Sequence, residues 1–502
     1  MAALVAIENA LCRIGRHQVM RIQEYRIEQG QHWCLFGPNG SGKSLLANLV
    51  AGKRIESGKY VRYAEGFDVR RDLHIVSFEE QQKLWRRDNR LDISEYSEDA
   101  QDAGTLVDEL IRSARGAAHH DQVLLDQLIT ELDIGQIANK GIRFLSSGQI
   151  RKVLIARALY AYHPKSAQLL ILDDPLESID IDSQERIRKS IEKFLHSGFS
   201  SIQLSRRQAD ILPGVTHLAV MNNLSIADQG NRNKVETGKA FNAVLDQHPA
   251  IPNKLPVNSI KANIDGVDRN SPLIELNRIN ASYGELQVLT DFSWTMEPDQ
   301  HVLIEGTNGC GKSTLLSLID GENHKAYGQD VTLFGIKRGS GETVWDIKAR
   351  FGVVSNELHN KYIKGWKVLD VVVSGFFDSV GLYDDSGTQE IAVARDWLIT
   401  LGISALDNHF YHEISFGQQR LVLLARAMVK QPKILVLDEP CVGLDDYHRI
   451  LILGVLDKIA EQTETRLIYV SHVKDEKPRC INRRLSFEAA STGGFKVSEY
   501  PA

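Results

Sequence analysis

Two segments of the chain, Gly37 to Ser44 (GPNGSGKS) and Gly306 to Thr314 (GTNGCGKST), place glycines, a lysine and a hydroxyl residue at the spacing G-x-x-x-x-G-K-[ST]. Glycines there let backbone N–H groups crowd phosphate oxygens. The lysine reaches the β- and γ-phosphates, and the hydroxyl of Ser44 or Ser313 ligates Mg²⁺. The expected binders are Gly37, Pro38, Asn39, Gly40, Ser41, Gly42, Lys43 and Ser44 in one loop. In the other they are Gly306, Thr307, Asn308, Gly309, Cys310, Gly311, Lys312, Ser313 and Thr314. Cys310 reads as a tolerated small residue, because backbone amides do the binding. The chain therefore handles a nucleoside triphosphate at two places.

Downstream, each half has a short apolar run ending in two acids, QLLILDD and KILVLDE. Asp173 and Asp438 are suited to hold Mg²⁺, commonly through water, and Glu439 is placed to polarise an attacking water. A buried strand with an exposed acidic turn is the plainer reading of such a run alone. Between loop and acids lie LSSGQ, beginning at Leu145, and ISFGQ, beginning at Ile414. In the first, Ser146, Ser147, Gly148 and Gln149 open a helix, where free amides, a hydroxyl and the positive dipole end make an anion site. An ordinary helix cap would look the same in either copy.

The elements that position these residues are written twice. Lys43 and Lys312 are 269 residues apart, as are Leu145 and Ile414, and Asp173 and Asp438 are 265 apart. Near-constant offsets mark a duplicated domain. In each half a strand (His32 to Phe36; His301 to Glu305) runs into the phosphate loop and a helix leaves it. A section of helical periodicity, the acidic strand and a further strand (Ser201 to Leu204; Arg466 to Val470) follow. Strands alternating with helices imply an α/β fold with a parallel sheet and ligands at the strand carboxyl ends. The expected layout is a first nucleotide domain over 1–246, a linker over 247–272 rich in Pro, Asn and Asp, and a second nucleotide domain over 273–502.

The chain has 502 residues, 43% of them hydrophobic and 25% charged, with a formal net charge of −6. That composition suits two or three soluble domains and gives no strong nucleic-acid signal. The basic stretch Lys83 to Arg90 reads as a solvated face. The cysteines at 12, 34, 310, 441 and 480 include no C-x-x-C pair, which argues against zinc or a disulfide framework and suits a reducing compartment. The N-terminus MAALVAIENA has neither a basic region nor a long apolar core, which argues against a secretory signal. No apolar run approaches the roughly 20 residues needed to cross a bilayer. A membrane role would put the membrane part in another chain.

The pentads, upstream of an apolar D-[DE]-P and downstream of a phosphate loop, resemble those of ABC-type ATPases over nearly the whole chain. The resemblance implies two tandem P-loop domains, each a core sheet with a helical subdomain, that hydrolyse ATP with Mg²⁺. It also implies a head-to-tail pseudo-dimer within the chain. One pocket would join Lys43, Ser44, Asp173 and Asp174 to Ser415, Gly417 and Gln418. The other would join Lys312, Ser313, Asp438 and Glu439 to Ser146, Ser147, Gly148 and Gln149. His472, in VSH, stands where the family places a γ-phosphate-sensing His, and Tyr283 stands where an aromatic stacks on adenine. A strand aromatic is the alternative for Tyr283.

The pockets are expected to be unequal. Asp174 takes the place of the catalytic Glu, which withdraws the carboxylate by about 1.5 Å. Misplacement near 1 Å costs on the order of a hundredfold in rate. Arg206 stands in place of His472, Ile14 in place of Tyr283, and Phe416 in place of a second pentad serine. The first pocket is expected to hold ATP and turn it over slowly, the second to carry turnover. The family's Gln after the fourth strand is also replaced, by Asn356 in the second half and by Phe78, Glu79 or Gln81 in the first.

Asp330 to Gly352 and Val373 to Tyr383 resemble the ModF/PhrA group of tandem ABC-type ATPases, described as molybdenum (molybdate) transport ATP-binding proteins. That implies an energy-coupling subunit, cytoplasmic or peripheral at the cytoplasmic membrane face, with permease partners on separate chains. Two other functions stay open: a soluble ATP-switched clamp or regulator on ribosomes or nucleic acid, and a nucleotide sensor with incidental turnover. The short linker argues against the clamp, whose relatives insert a long charged arm there.

Overall fold

The computed structural model describes residues 3–14, 18–90, 104–115, 119–163, 167–177, 179, 181–195, 199–256, 271–283, 286–307, 310–320, 328–362, 365–382, 386–471, 473, 476–489 and 495–502. They form two compact units, Met1–Gln247 and His248–Ala502. Among them no helix is long and apolar enough to cross a membrane.

The first unit has the strands β1 (Ala3–Ile14), β2 (Gln18–Glu28), β3 (His32–Phe36), β4 (Val61–Tyr63), β5 (Leu73–Val76), β6 (Leu169–Asp173), β7 (Ser200–Ser205), β8 (His217–Asn222) and β9 (Ser225–Asn231). They form one sheet in the order β4-β1-β2-β9-β8-β3-β7-β6-β5. β1 and β2 pair antiparallel and bury one face, with Met20, Ile22, Tyr25 and Ile27 turned inward along β2. β3 lies between the parallel neighbours β7 and β8 and is buried at all five positions, as a central parallel strand should be. A single parallel pairing, Arg21 with Ser225, joins the β1–β2 part to the rest.

Among the described residues, the second unit repeats this plan with one strand more and with the sheet divided in two. Its strands are β10 (Ile274–Tyr283), β11 (Leu286–Met296), β12 (Val302–Gly306), β13 (Asp330–Leu333), β14 (Ile336–Lys337), β15 (Phe351–Val354), β16 (Ile434–Asp438), β17 (Arg466–Val470), β18 (Arg483–Ala489) and β19 (Phe495–Pro501). They form two sheets, β11-β10-β13-β14 and β15-β16-β17-β12-β18-β19. β12 begins one residue later than His301, whose N–H is taken by the Asn482 side-chain carbonyl at 2.9 Å.

A helical layer packs on each core sheet. Helix Ser147–Tyr160 is apolar on most sides, and Ile150, Val153, Leu154, Ile155 and Leu159 are buried against helices Val107–Arg112 and Gln122–Glu131. Such a helix survives only inside a core. Helix Phe416–Met428 does the same in the second unit against Val368–Val373 and Thr388–Thr400. This is the α/β architecture with a helical subdomain in each half that the motifs imply.

Part of the segment expected as a linker belongs to the second unit. Leu255 is buried in its core, the Leu255 N–H donates to Gln462 Oε1 at 3.1 Å, and Gln462 Nε2 donates to the Asn253 carbonyl at 2.8 Å. Residues 257–270 lie outside the described residues. The basic stretch Lys83 to Arg90 sits on helix Phe78–Arg90, where Lys83 pairs with Glu80 at 2.9 Å and the Trp85 indole donates to the Ile142 carbonyl at 3.0 Å.

Candidate active site

Each phosphate loop leaves a buried strand and enters a helix, Lys43–Val50 or Lys312–Ile319, capped by a left-handed glycine. Gly42 and Gly311 have φ of 102° and 104°, which costs a side chain about 1–2 kcal/mol. A Cβ on Gly37 would stand 2.2 Å from the Met221 carbonyl oxygen of β8, and one on Gly311 would stand 2.2 Å from Val288 Cγ1. Both loops therefore need glycine for want of room as well as for conformation. The lysines arch back over their loops. Lys43 Nζ donates to the carbonyls of Gly37 at 2.7 Å and Pro38 at 2.8 Å, and Lys312 Nζ to those of Gly306 at 2.9 Å and Thr307 at 3.1 Å. Asn308 and Gly309 lie outside the described residues. Cys310 is buried, and burial pushes its thiol up, which keeps it protonated.

The paired acids stand beside these loops. Ser44 Oγ is 3.5 Å from Asp173 Oδ2, and Ser313 and Asp438 line one cavity. These are hard oxygen donors, the set that suits Mg²⁺. Burial, then the charge of Asp174, pushes the Asp173 carboxyl up to about 7, with Arg206 and Lys43 opposing. Burial, then Glu439, pushes Asp438 up to about 6. A cation placed there would remove that penalty. The second acid of each pair takes a left-handed turn, with φ of 42° at Asp174 and 50° at Glu439. Strain of this kind in non-glycine residues gathers at functional sites. Both turns are pinned to the next strand, Asp174 N–H to the Leu204 carbonyl at 3.3 Å and Glu439 N–H to that of Val470 at 3.1 Å.

Both pentads cap helices with the same reciprocal bonds. Ser146 Oγ accepts from Gln149 N–H at 3.3 Å while Gln149 Oε1 accepts from Ser146 N–H at 3.0 Å. Ser415 and Gln418 do likewise at 3.3 and 2.9 Å. The helix-cap and anion-site readings are thus compatible, because each serine uses a lone pair on its own helix and keeps its O–H to donate outward. Ser147 and Gly148 follow in the first turn. Phe416 packs edge-on against His359 at 5.0 Å, which accounts for an aromatic where the other pentad has serine. A Cβ on Gly417 would stand 2.4 Å from the His448 ring.

Two arginines were missed by the motif reading. Arg151 and Arg420 are 269 residues apart, follow their pentads by the same step and are buried. Arg151 Nη1 donates to the carbonyl of Asp173. Arg420 instead donates to the Ser355 carbonyl at 3.2 Å and to the Asn356 side chain. The repeat offset was the signal that could have found them. Of the first-half alternatives to Asn356, Phe78 is exposed, whereas Gln81 is fully buried with neither side-chain amide atom hydrogen-bonded among the described residues.

His472 lies outside the described residues, as does the side chain of Tyr283, which ends β10. Ile14 ends β1 and packs, partly buried, on the first unit's core. Arg206 is bound to acids, 2.8 Å from Asp174 and 3.0 Å from Glu177.

Two copies of one phosphate loop, acidic strand and capped pentad point to a known domain. Residues 21–177 and 289–442 each match the family described as ABC transporter. The chain belongs to that family. It is 34% identical over 494 residues to the ABC transporter ATP-binding protein ModF of Escherichia coli (strain K12), covering 97% of each chain. It is 24% identical to an uncharacterized ABC transporter ATP-binding protein of Schizosaccharomyces pombe, covering 96% of this chain and 98% of that one. Among solved structures it is similar in fold to an RNase-L Inhibitor, with a TM-score of 0.56 and 17% identity over 98% of this chain and 90% of that one. An archaeal ribosome recycling factor in complex with a ribosomal stalk protein gives a TM-score of 0.56 and 17% identity, over 97% and 89%. The chain is a tandem ABC ATPase of two domains.

Proposed function

We propose that this ATPase is the energy-coupling subunit of a membrane transport system, working at the cytoplasmic face with permease chains supplied separately, and that molybdate is its solute. Each ATP is held at a phosphate loop, with Mg²⁺ on Ser44 and Asp173 or on Ser313 and Asp438. Glu439 and His472 carry turnover in the second pocket, and Asp174 stands in the base position of the slower first one. Tyr283 stacks on adenine. The charge of the γ-phosphate is met by the loop lysine and amides until hydrolysis releases it.

One observation carries the coupling role. A cavity of about 350 Å³ opens beside Ser313 and Asp438 and runs past Ser355, Glu357, Lys361 and Arg426. A partner segment seated there would touch the strand end that holds the metal-side acid, so it would sense whether nucleotide is present. The same place in the first unit, beside Ser44 and Asp173, has only about 20 Å³. The transporter names of the relatives and the resemblance to the ModF/PhrA group add support, the latter alone for molybdate.

The experiment is affinity purification of the full-length Glu439→Gln protein from cells in the presence of ATP and Mg²⁺. Recovery of a multi-spanning membrane protein, lost in Lys312→Ala, is the expected result. Recovery of ribosomes in a salt-sensitive manner would favour the clamp instead.

A further inference from the structure

Three positions at which the halves differ meet at one point in the first unit. Arg206 Nη2 lies 2.8 Å from Asp174 Oδ2 and 3.0 Å from Glu177 Oε2, with side chains only 12%, 13% and 22% exposed. The matching places in the second unit hold His472, Glu439 and Val442. The backbones correspond, since Glu177 N–H donates to the Asp174 carbonyl at 3.1 Å as Val442 N–H donates to that of Glu439 at 3.3 Å. The arginine thus comes with an additional acid, Glu177, which the other half replaces by an apolar residue. Exposed ion pairs contribute little, but these three groups are largely removed from water and screened weakly.

We infer that Arg206 is a positioning residue that keeps the first pocket in a slow-turnover form, by clamping the Asp174 carboxylate between itself and the Glu177 side of the turn. This rests on the reading above, in which Asp174 has the base position of that pocket. In hydrolysis, water adds to the γ-phosphorus, its proton passes to the carboxylate, and the bond from the γ-phosphorus to the bridging oxygen breaks to leave ADP and phosphate. A guanidinium on the same carboxylate occupies lone pairs that must take the proton. Lys43, Ser44 and the loop amides lie outside the clamp, so ATP is still gripped. The first pocket is then a holder of ATP, kept slow by a cation as well as by a short side chain.

The test places Arg206→Met and Arg206→Lys in the full chain with Glu439→Gln, and measures single-turnover and steady-state ATP hydrolysis. Arg206→Met should raise kcat by roughly tenfold or more, general-base help being worth about 10²–10⁴-fold. KM should stay within about twofold, because the loop that grips ATP is untouched. Arg206→Lys, which restores a cation, should return kcat to the low value, and Asp174→Asn should abolish the gain. A merely structural arginine would give no gain in kcat and no cancellation by Asp174→Asn. If Arg206→Met is insoluble, Glu177→Gln stands in: it leaves Arg206 on Asp174 alone and should keep kcat low, and a rise there overturns the clamp. Turnover that survives Lys43→Ala overturns the pocket assignment. Turnover that needs Lys43 but ignores Arg206 overturns the clamp alone.

Discussion

Arg151 Nη1 donates to the main-chain carbonyl of Asp173 at 3.0 Å and also lies 3.3 Å from that of Asp174. A buried guanidinium from the pentad helix therefore holds the backbone that aims both acids. Hydrogen bonds to charged groups are worth about 1.5–3 kcal/mol each, so Arg151→Met should cost about 2–4 kcal/mol of stability. Urea unfolding measures it. A cost no larger than that of a surface substitution would show that the guanidinium is dispensable.

Gly37→Ala should destroy the first phosphate loop without unfolding the chain. The added methyl would meet a main-chain carbonyl of β8 at 2.2 Å, and a strand between two neighbours cannot retreat. Gly311→Ala would meet the buried Val288 Cγ1 at 2.2 Å and would also have to keep a φ of 104°. Fluorescent ATP analogues should bind at least about tenfold more weakly at the altered loop in each case, a loss of roughly 1.4 kcal/mol or more. Retained affinity in Gly37→Ala would mean that the loop opens in a way the glycine does not require.

The two pockets should fail unequally. Glu439→Gln is expected to remove most steady-state ATPase, by about 10²-fold or more, while Asp174→Asn leaves most of it. Equal losses would refute the asymmetry.

Much of this was legible in the residues. The loops, the acidic strands and the helix start at Ser146 follow from glycine spacing, apolar runs and an LSSGQ pentad ahead of a helical run, all local in sequence. What was not legible depends on approach in space. Nothing local says that Arg206 meets Glu177, 29 residues away, or that Arg151 and Arg420, matched in sequence, bind different backbones. The place of Leu255 was hidden for the same reason: its surroundings in sequence are polar and proline-rich, while its partner Gln462 lies 207 residues on.

Acidity gives a separate test. Asp173 is held up to about 7 and Asp438 up to about 6, so the folded chain binds these protons more tightly than the unfolded chain does. Without Mg²⁺ their contribution to stability is fully present near the ordinary aspartate value of about 3.9 and is lost as pH climbs through the folded values. In EDTA, Asp173→Asn and Asp438→Asn should therefore gain Tm relative to the parent at pH ~8 and gain less at pH ~5. Mg²⁺ with ATP should erase the gain by supplying the missing positive charge. A gain that is the same at both pH values would rule out buried charge as its cause.

The single Arg21–Ser225 pairing makes one continuous ribbon of the first unit's sheet, whereas no ladder joins the two sheets of the second among the described residues. Among the described residues, tilting the outer strands against the phosphate loop breaks a backbone bridge in the first half and none in the second. Within that described part, the second half thus has the weaker backbone link between its outer and core strands. Amide exchange along β10 and β11 should accordingly outpace that along β1 and β2.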